Sequence, residues 1–108
     1  MPNTSWYINQ GETSWIFKLV VSEATTGNTL SFRYRAEGGS GTGTELGTAS
    51  GAAADTEITF TLDWSGVAAG TYDIEVWEDF GGASERPLFP NADTTKSQVT
   101  IVDRFGLA

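Results

Sequence analysis

The residues that could do chemistry are carboxylates. The 108-residue chain has 14 acids against 6 bases, a formal charge of −8. More than half of these acids gather in one region: Asp55, Glu57, Asp63, Asp73, Glu75, Glu78, Asp79 and Glu85. Converging carboxylates can hold a hard cation such as Ca²⁺, but that chemistry needs several oxygens from one loop at a DxDxD-like spacing. No such spacing occurs here. A pair of carboxyls across a cleft, one with a raised pKa, can cleave glycosidic bonds. A sandwich domain of this size rarely supplies the cleft. The plainer reading is a solvated acidic face, which is what surface charge runs usually are.

The chain has no His and no Cys. That excludes Ser–His and Cys–His nucleophiles, imidazole and thiolate metal sites, and disulfides. We therefore expect no enzyme activity, no catalytic residue, no metal and no cofactor. The acidic balance disfavours phosphate-led nucleic-acid binding. No stretch approaches the roughly 20 apolar residues of a membrane helix, so neither nucleic acid nor membrane is an expected partner. The N-terminal residues show no basic region and no apolar run, so the expectation is a cytoplasmically made chain without a secretory leader.

What remains is recognition through aromatic side chains. Trp77 falls on the outward phase of its strand, between Glu75 and Asp79. Trp6, Tyr7, Phe80, Phe89 and Phe105 lie near strand ends or in loops. These six are the expected partner-contact residues, because aromatics are enriched at interface hot spots. They could equally cap the ends of the core. The alternative function is a carbohydrate-binding module, with Trp64 and Trp77 as stacking platforms. Trp15 is the expected core anchor.

The elements that must position these groups are strands. Ile58, Phe60 and Leu62 alternate with Glu57, Thr59 and Thr61; Tyr72, Ile74 and Val76 alternate with Thr71, Asp73 and Glu75. Period-two alternation marks half-buried strands. The corner between them, with Gly70-Thr71-Tyr72, reads either as the tyrosine corner of immunoglobulin-type sandwiches or as an ordinary hairpin with a buried Tyr. If these two strands are neighbours, Glu57 lies close to Asp73 and Glu75. Residues 13–22 form a third strand, apolar on both faces, which predicts a central strand or a covered outer surface. In the strand over 29–36, Leu30, Phe32 and Tyr34 face in, and Arg33 and Arg35 face out toward the acids. Further strands are expected over 5–9, 45–48 and 97–103. The Gly-rich segment 37–44 lacks Lys and opens no helix pattern, so it is no phosphate cradle. No helix signal appears. We expect one all-β domain over residues 1–108, an immunoglobulin-like antiparallel β-sandwich of about seven strands. Flexible loops are expected near 37–55 and 79–96, with a short C-terminal tail.

This pattern resembles the small immunoglobulin-like domains of tailed-bacteriophage virion proteins, including the N-terminal domain of upper baseplate proteins. The similarity rests on Gly11-Glu12-Thr13 before a long strand, on Gly70-Thr71-Tyr72-Asp73-Ile74, and on Leu88 with Val99-Thr100-Ile101-Val102 at the end. It departs at Thr25-Thr26-Gly27-Asn28, where an Asp-Leu-Thr-Gly turn is usual, and at Thr94-Thr95-Lys96, where a Gly often stands. The resemblance implies a structural virion role, assembled in the host cytoplasm, with capsid or tail and baseplate proteins as partners. It also implies repeated copies or a homo-oligomer, and carries no catalytic residues.

Overall fold

The computed structural model describes residues 5–20, 27–50, 57–90 and 97–103. Within them the alternating segments form β1 (Ser5–Asn9), β2 (Trp15–Val20), β3 (Thr29–Ala36), β4 (Thr44–Ser50), β5 (Glu57–Leu62), β6 (Gly70–Glu78), β7 (Arg86–Phe89) and β8 (Gln98–Val102). The larger sheet runs β1-β8-β6-β3-β4, with β7 also on β6, and the smaller sheet is β2-β5. The fold is an immunoglobulin-like sandwich: β2 and β5 stand where strands B and E would, and β3, β6 and β8 where C, F and G would.

The strand pattern differs from expectation in three ways. β1 pairs with β8 in parallel, Ser5 beside Gln98 through Asn9 beside Val102, so the larger sheet is mixed. β7 is an added strand inside the long β6–β8 connection; it pairs antiparallel with β6, Glu78 beside Arg86. Its Leu88 and Phe89 turn inward, which is why this segment carries large apolar residues. Finally, β2 is not a central strand. It pairs with β5 alone among the described residues, and its outer side chains Ile16, Lys18 and Val20 are exposed. The expected loops near 37–55 and 79–96 lie partly outside the described residues, at 51–55 and 91–96, and within the rest β4 and β7 are regular strands.

The core centres on Phe17 of β2. Its ring meets Phe32 at 5.3 Å, Phe60 at 6.3 Å, Phe89 at 5.3 Å and Trp6 at 5.4 Å. Phe32 lies on β3, so the Phe17–Phe32 contact spans the two sheets. Edge-to-face pairs at such distances add to plain area burial. Trp64, not Trp15, is the fully buried indole, at 0% exposure. It packs on Trp15, Phe32 and Tyr34 at 6.2, 5.9 and 5.5 Å. Trp15 is only half-buried and packs against the margin of this cluster.

Trp64 is held by the corner that leads from β5 to β6. The backbone N–H of Trp64 donates to the Glu12 carbonyl at 2.8 Å, and the Val67 N–H donates to the Trp64 carbonyl at 3.0 Å. Asp63 Oδ1 accepts the Ser65 N–H at 2.9 Å. Hydrogen bonds from the Ser65 hydroxyl and N–H hold the Asp63 carboxyl below its usual range. Tyr72 then reaches back, its hydroxyl donating to the Ala68 carbonyl at 2.7 Å. This is the tyrosine corner, since β5 and β6 lie in opposite sheets. The same separation takes Glu57 away from Asp73 and Glu75, so the acids that cluster in sequence divide between two faces.

Removing the corner hydroxyl in Tyr72→Phe deletes one hydrogen bond and little volume. The expected cost is about 1 kcal/mol by urea denaturation. Burial, with Tyr34 nearby, raises the Tyr72 pKa above its ordinary 10.0. The unfolded chain therefore loses this proton first. The contribution is full below pH 10 and is lost as pH rises toward the raised folded value. Tyr72→Phe should flatten the alkaline fall in stability; an unchanged alkaline limb would contradict this role.

Candidate functional site

The outer face of the larger sheet carries the acid-rich surface marked by sequence. Strand alternation turns Ser31, Arg33 and Arg35 of β3 outward beside Trp77, Glu75 and Asp73 of β6, in that cross-strand register. Arg35 pairs with Asp73 at 3.9 Å. Its Nη1 also donates to the Gly41 carbonyl at 2.8 Å. Arg33 donates from Nε to the Thr42 carbonyl at 3.0 Å and from Nη2 to the Gly43 carbonyl at 3.2 Å. Its Nη1 reaches Ser31 Oγ at 3.2 Å, and Ser31 in turn donates to Glu45 Oε1 at 2.7 Å. The guanidinium carbon sits 3.9 Å from the centre of the Phe80 ring, a cation–π contact. Phe80 meets Trp77 edge to face at 5.8 Å, and Trp77 Nε1 donates to Glu75 Oε1 at 3.1 Å.

The two arginines thus tie the Gly-rich segment, over Gly41, Thr42 and Gly43, to the sheet. Backbone geometry reinforces this. At Gly43, φ is +73°, and an added Cβ would lie 2.5 Å from the Tyr34 carbonyl oxygen. Only glycine fits so close an approach to backbone.

The chemistry of this face is largely spent on itself. Asp73 faces Arg35 and accepts from Gln98 Nε2 at 3.0 Å. Glu75 and Glu45 accept from Trp77 and Ser31. A pocket lies between Arg33, Arg35, Thr42, Gly43, Asp73 and Glu75, over the same groups that hold the loop. Among the described residues no three potential ligands from His, Cys, Asp or Glu converge on a metal position.

The aromatic residues named from sequence are dispersed. Tyr7 is 65% exposed, on β1 at the sheet's edge. Trp77 and Phe80 come together, half-buried in the Arg33 cluster. Trp6 and Phe89 also come together, at 6.1 Å, but around Phe17. Phe89 is 6% exposed and is a core residue rather than a contact residue, because β7 folds back onto β6 and turns it inward. Trp6 is half-buried against the same cluster. Trp64, buried in the corner, cannot act as a sugar-stacking platform. Phe105 lies outside the described residues.

A different face is open. On the outside of the smaller sheet, Ile16 is 58% and Val20 62% exposed, with Lys18 between them. Alternating apolar side chains on both faces of residues 13–22 were the available signal, and it pointed to a central strand or a covering layer; among the described residues β2 pairs with β5 alone and no layer covers it. No protein-family model matches the chain, and neither curated proteins nor solved structures provide a significant match.

Arg33→Ala should release residues 41–43 from the sheet. Their amide exchange is expected to quicken about tenfold or more, with a stability loss of about 1–2 kcal/mol. Unchanged exchange in that segment would remove Arg33 as its tether.

Proposed function

We propose that the chain is a non-enzymatic assembly domain that docks on the repetitive protein lattice of a tailed-bacteriophage particle, on its capsid surface or on its tail or baseplate. The observation that carries the reading is the uncovered apolar stripe of Ile16 and Val20 on an otherwise acidic chain. Large apolar side chains repeated on one sheet face suit contact with another protein. The resemblance to virion immunoglobulin-like domains supports the phage setting. A short stripe binds weakly alone, but many copies on a lattice act together.

Mass spectrometry of purified particles from the source of the gene, with co-sedimentation of the purified chain on capsids and tails, tests the role. The expected result is a chain present at stoichiometric levels and saturable binding to one particle part. Absence from particles together with no co-sedimentation would overturn it.

A further inference from the structure

We infer that the outer face of β2–β5 is a self-complementary contact between two copies of this chain, with Lys18 of each copy meeting Glu57 of the other. This deepens the assembly reading and rests on its premise of repeated copies: the protein that covers the Ile16–Val20 face is a neighbouring copy in the particle.

Among the described residues, Arg35 pairs with Asp73, Arg86 with Glu78, and Arg33 is held by Ser31 and two carbonyls. Among the described residues the side chains of Lys18 and Glu57 have no hydrogen bond or ion pair. The two lie on one face. The register sets Lys18 beside Thr59 and Val20 beside Glu57, which makes Lys18 and Glu57 diagonal neighbours. Such neighbours stand roughly 7–8 Å apart. Lys18 and Glu57 put one cation and one anion on these two strands, with Asp63 exposed just beyond β5, so a second copy that sets Lys18 against Glu57 meets attraction here in a chain of net charge −8.

The geometry suits a twofold contact. An isologous interface must present the same patch from both sides, each residue meeting its complement. A twofold axis lying between Lys18 and Glu57 exchanges them, so two ion pairs form. Val20 is the cross-strand partner of Glu57 and stands two residues from Lys18. It therefore lies near the axis, against Val20 of the other copy. Thr59 and Thr61 complete the exposed face, and Ile16 extends its apolar edge. Two short strands cover far less than the roughly 800 Å² per partner of a standard interface. The contact is accordingly weak, with a Kd on the order of 0.1–1 mM, and gains strength when copies are held side by side.

Charge exchange tests this, because Lys18 and Glu57 are exposed and neither supports the core. Sedimentation equilibrium is run from about 10 μM to about 1 mM in about 0.15 M salt, where long-range repulsion is screened beyond roughly 8 Å. The native chain should rise in mean mass from 11.5 kDa toward a dimer. Lys18→Glu and Glu57→Lys should each weaken association about tenfold, and the double exchange should restore it. Val20→Ser should weaken it in every background. A native chain that stays monomeric, or a double exchange that fails to restore association, overturns the contact. A monomer that still co-sediments with particles would sink this inference and leave the assembly role standing; a dimer that behaves as described but is missing from particles would do the reverse.

Discussion

The sandwich depends on the ring of Phe17. Immunoglobulin domains of antibodies bridge their sheets with a disulfide between strands B and F. This chain has no cysteine. Instead, Phe17 of the smaller sheet packs edge to face on Phe32 of the larger, with Phe60, Phe89 and Trp6 around it. Ile74, on the F-like strand, is buried in the same core. Burial and close packing thus supply the cohesion that a covalent staple would otherwise add, which a domain of this length can manage. At the other end of the core, Trp64 fills the space under Tyr34, and the corner bonds of Tyr72 and Glu12 keep it there.

Fixing the sheets in this way decides what the two outer faces can do. The larger sheet turns Arg33 and Arg35 against acids and loop carbonyls, and most of its polar groups already have partners. Its aromatic pair, Trp77 and Phe80, is folded into the same cluster. Among the described residues the smaller sheet has two strands, and Ile16, Lys18 and Val20 stand in solvent. An exposed sheet flank of this kind invites association, and natural proteins often moderate it with a lysine. Lys18 occupies that position. Our reading is that it selects the geometry of contact, since a copy can approach only where a carboxylate receives it.

Much of the fold was legible in the sequence because period-two alternation reports one buried face directly. Ile58, Phe60, Leu62, Ile74 and Val76 are buried as their alternation requires, and Gly70-Thr71-Tyr72 marked the corner. The location of Trp64 was not legible, because a Trp in a corner looks the same whether it plugs the core or stands out. Phe89 was misread for a related reason: β7 pairs through a fold-back that four residues of pattern cannot announce. The stripe on β2 was visible as apolar residues, but alternation cannot say whether a second layer covers them. That depends on how many strands share the sheet, a tertiary fact. The division of the acids was hidden likewise, since adjacency in sequence across a corner becomes separation onto opposite sheets.

Which face makes the contact is the central question, and nuclear magnetic resonance answers it most directly. Amide ¹H–¹⁵N spectra of the labelled chain would be recorded along a dilution series reaching about 1 mM, the range expected for so small an interface. Concentration-dependent shifts should be confined to β2 and β5, strongest at Lys18, Val20 and Glu57. Shifts centred instead on Arg33, Glu75, Trp77 and Phe80, or spectra that do not change with concentration, would contradict the β2–β5 contact.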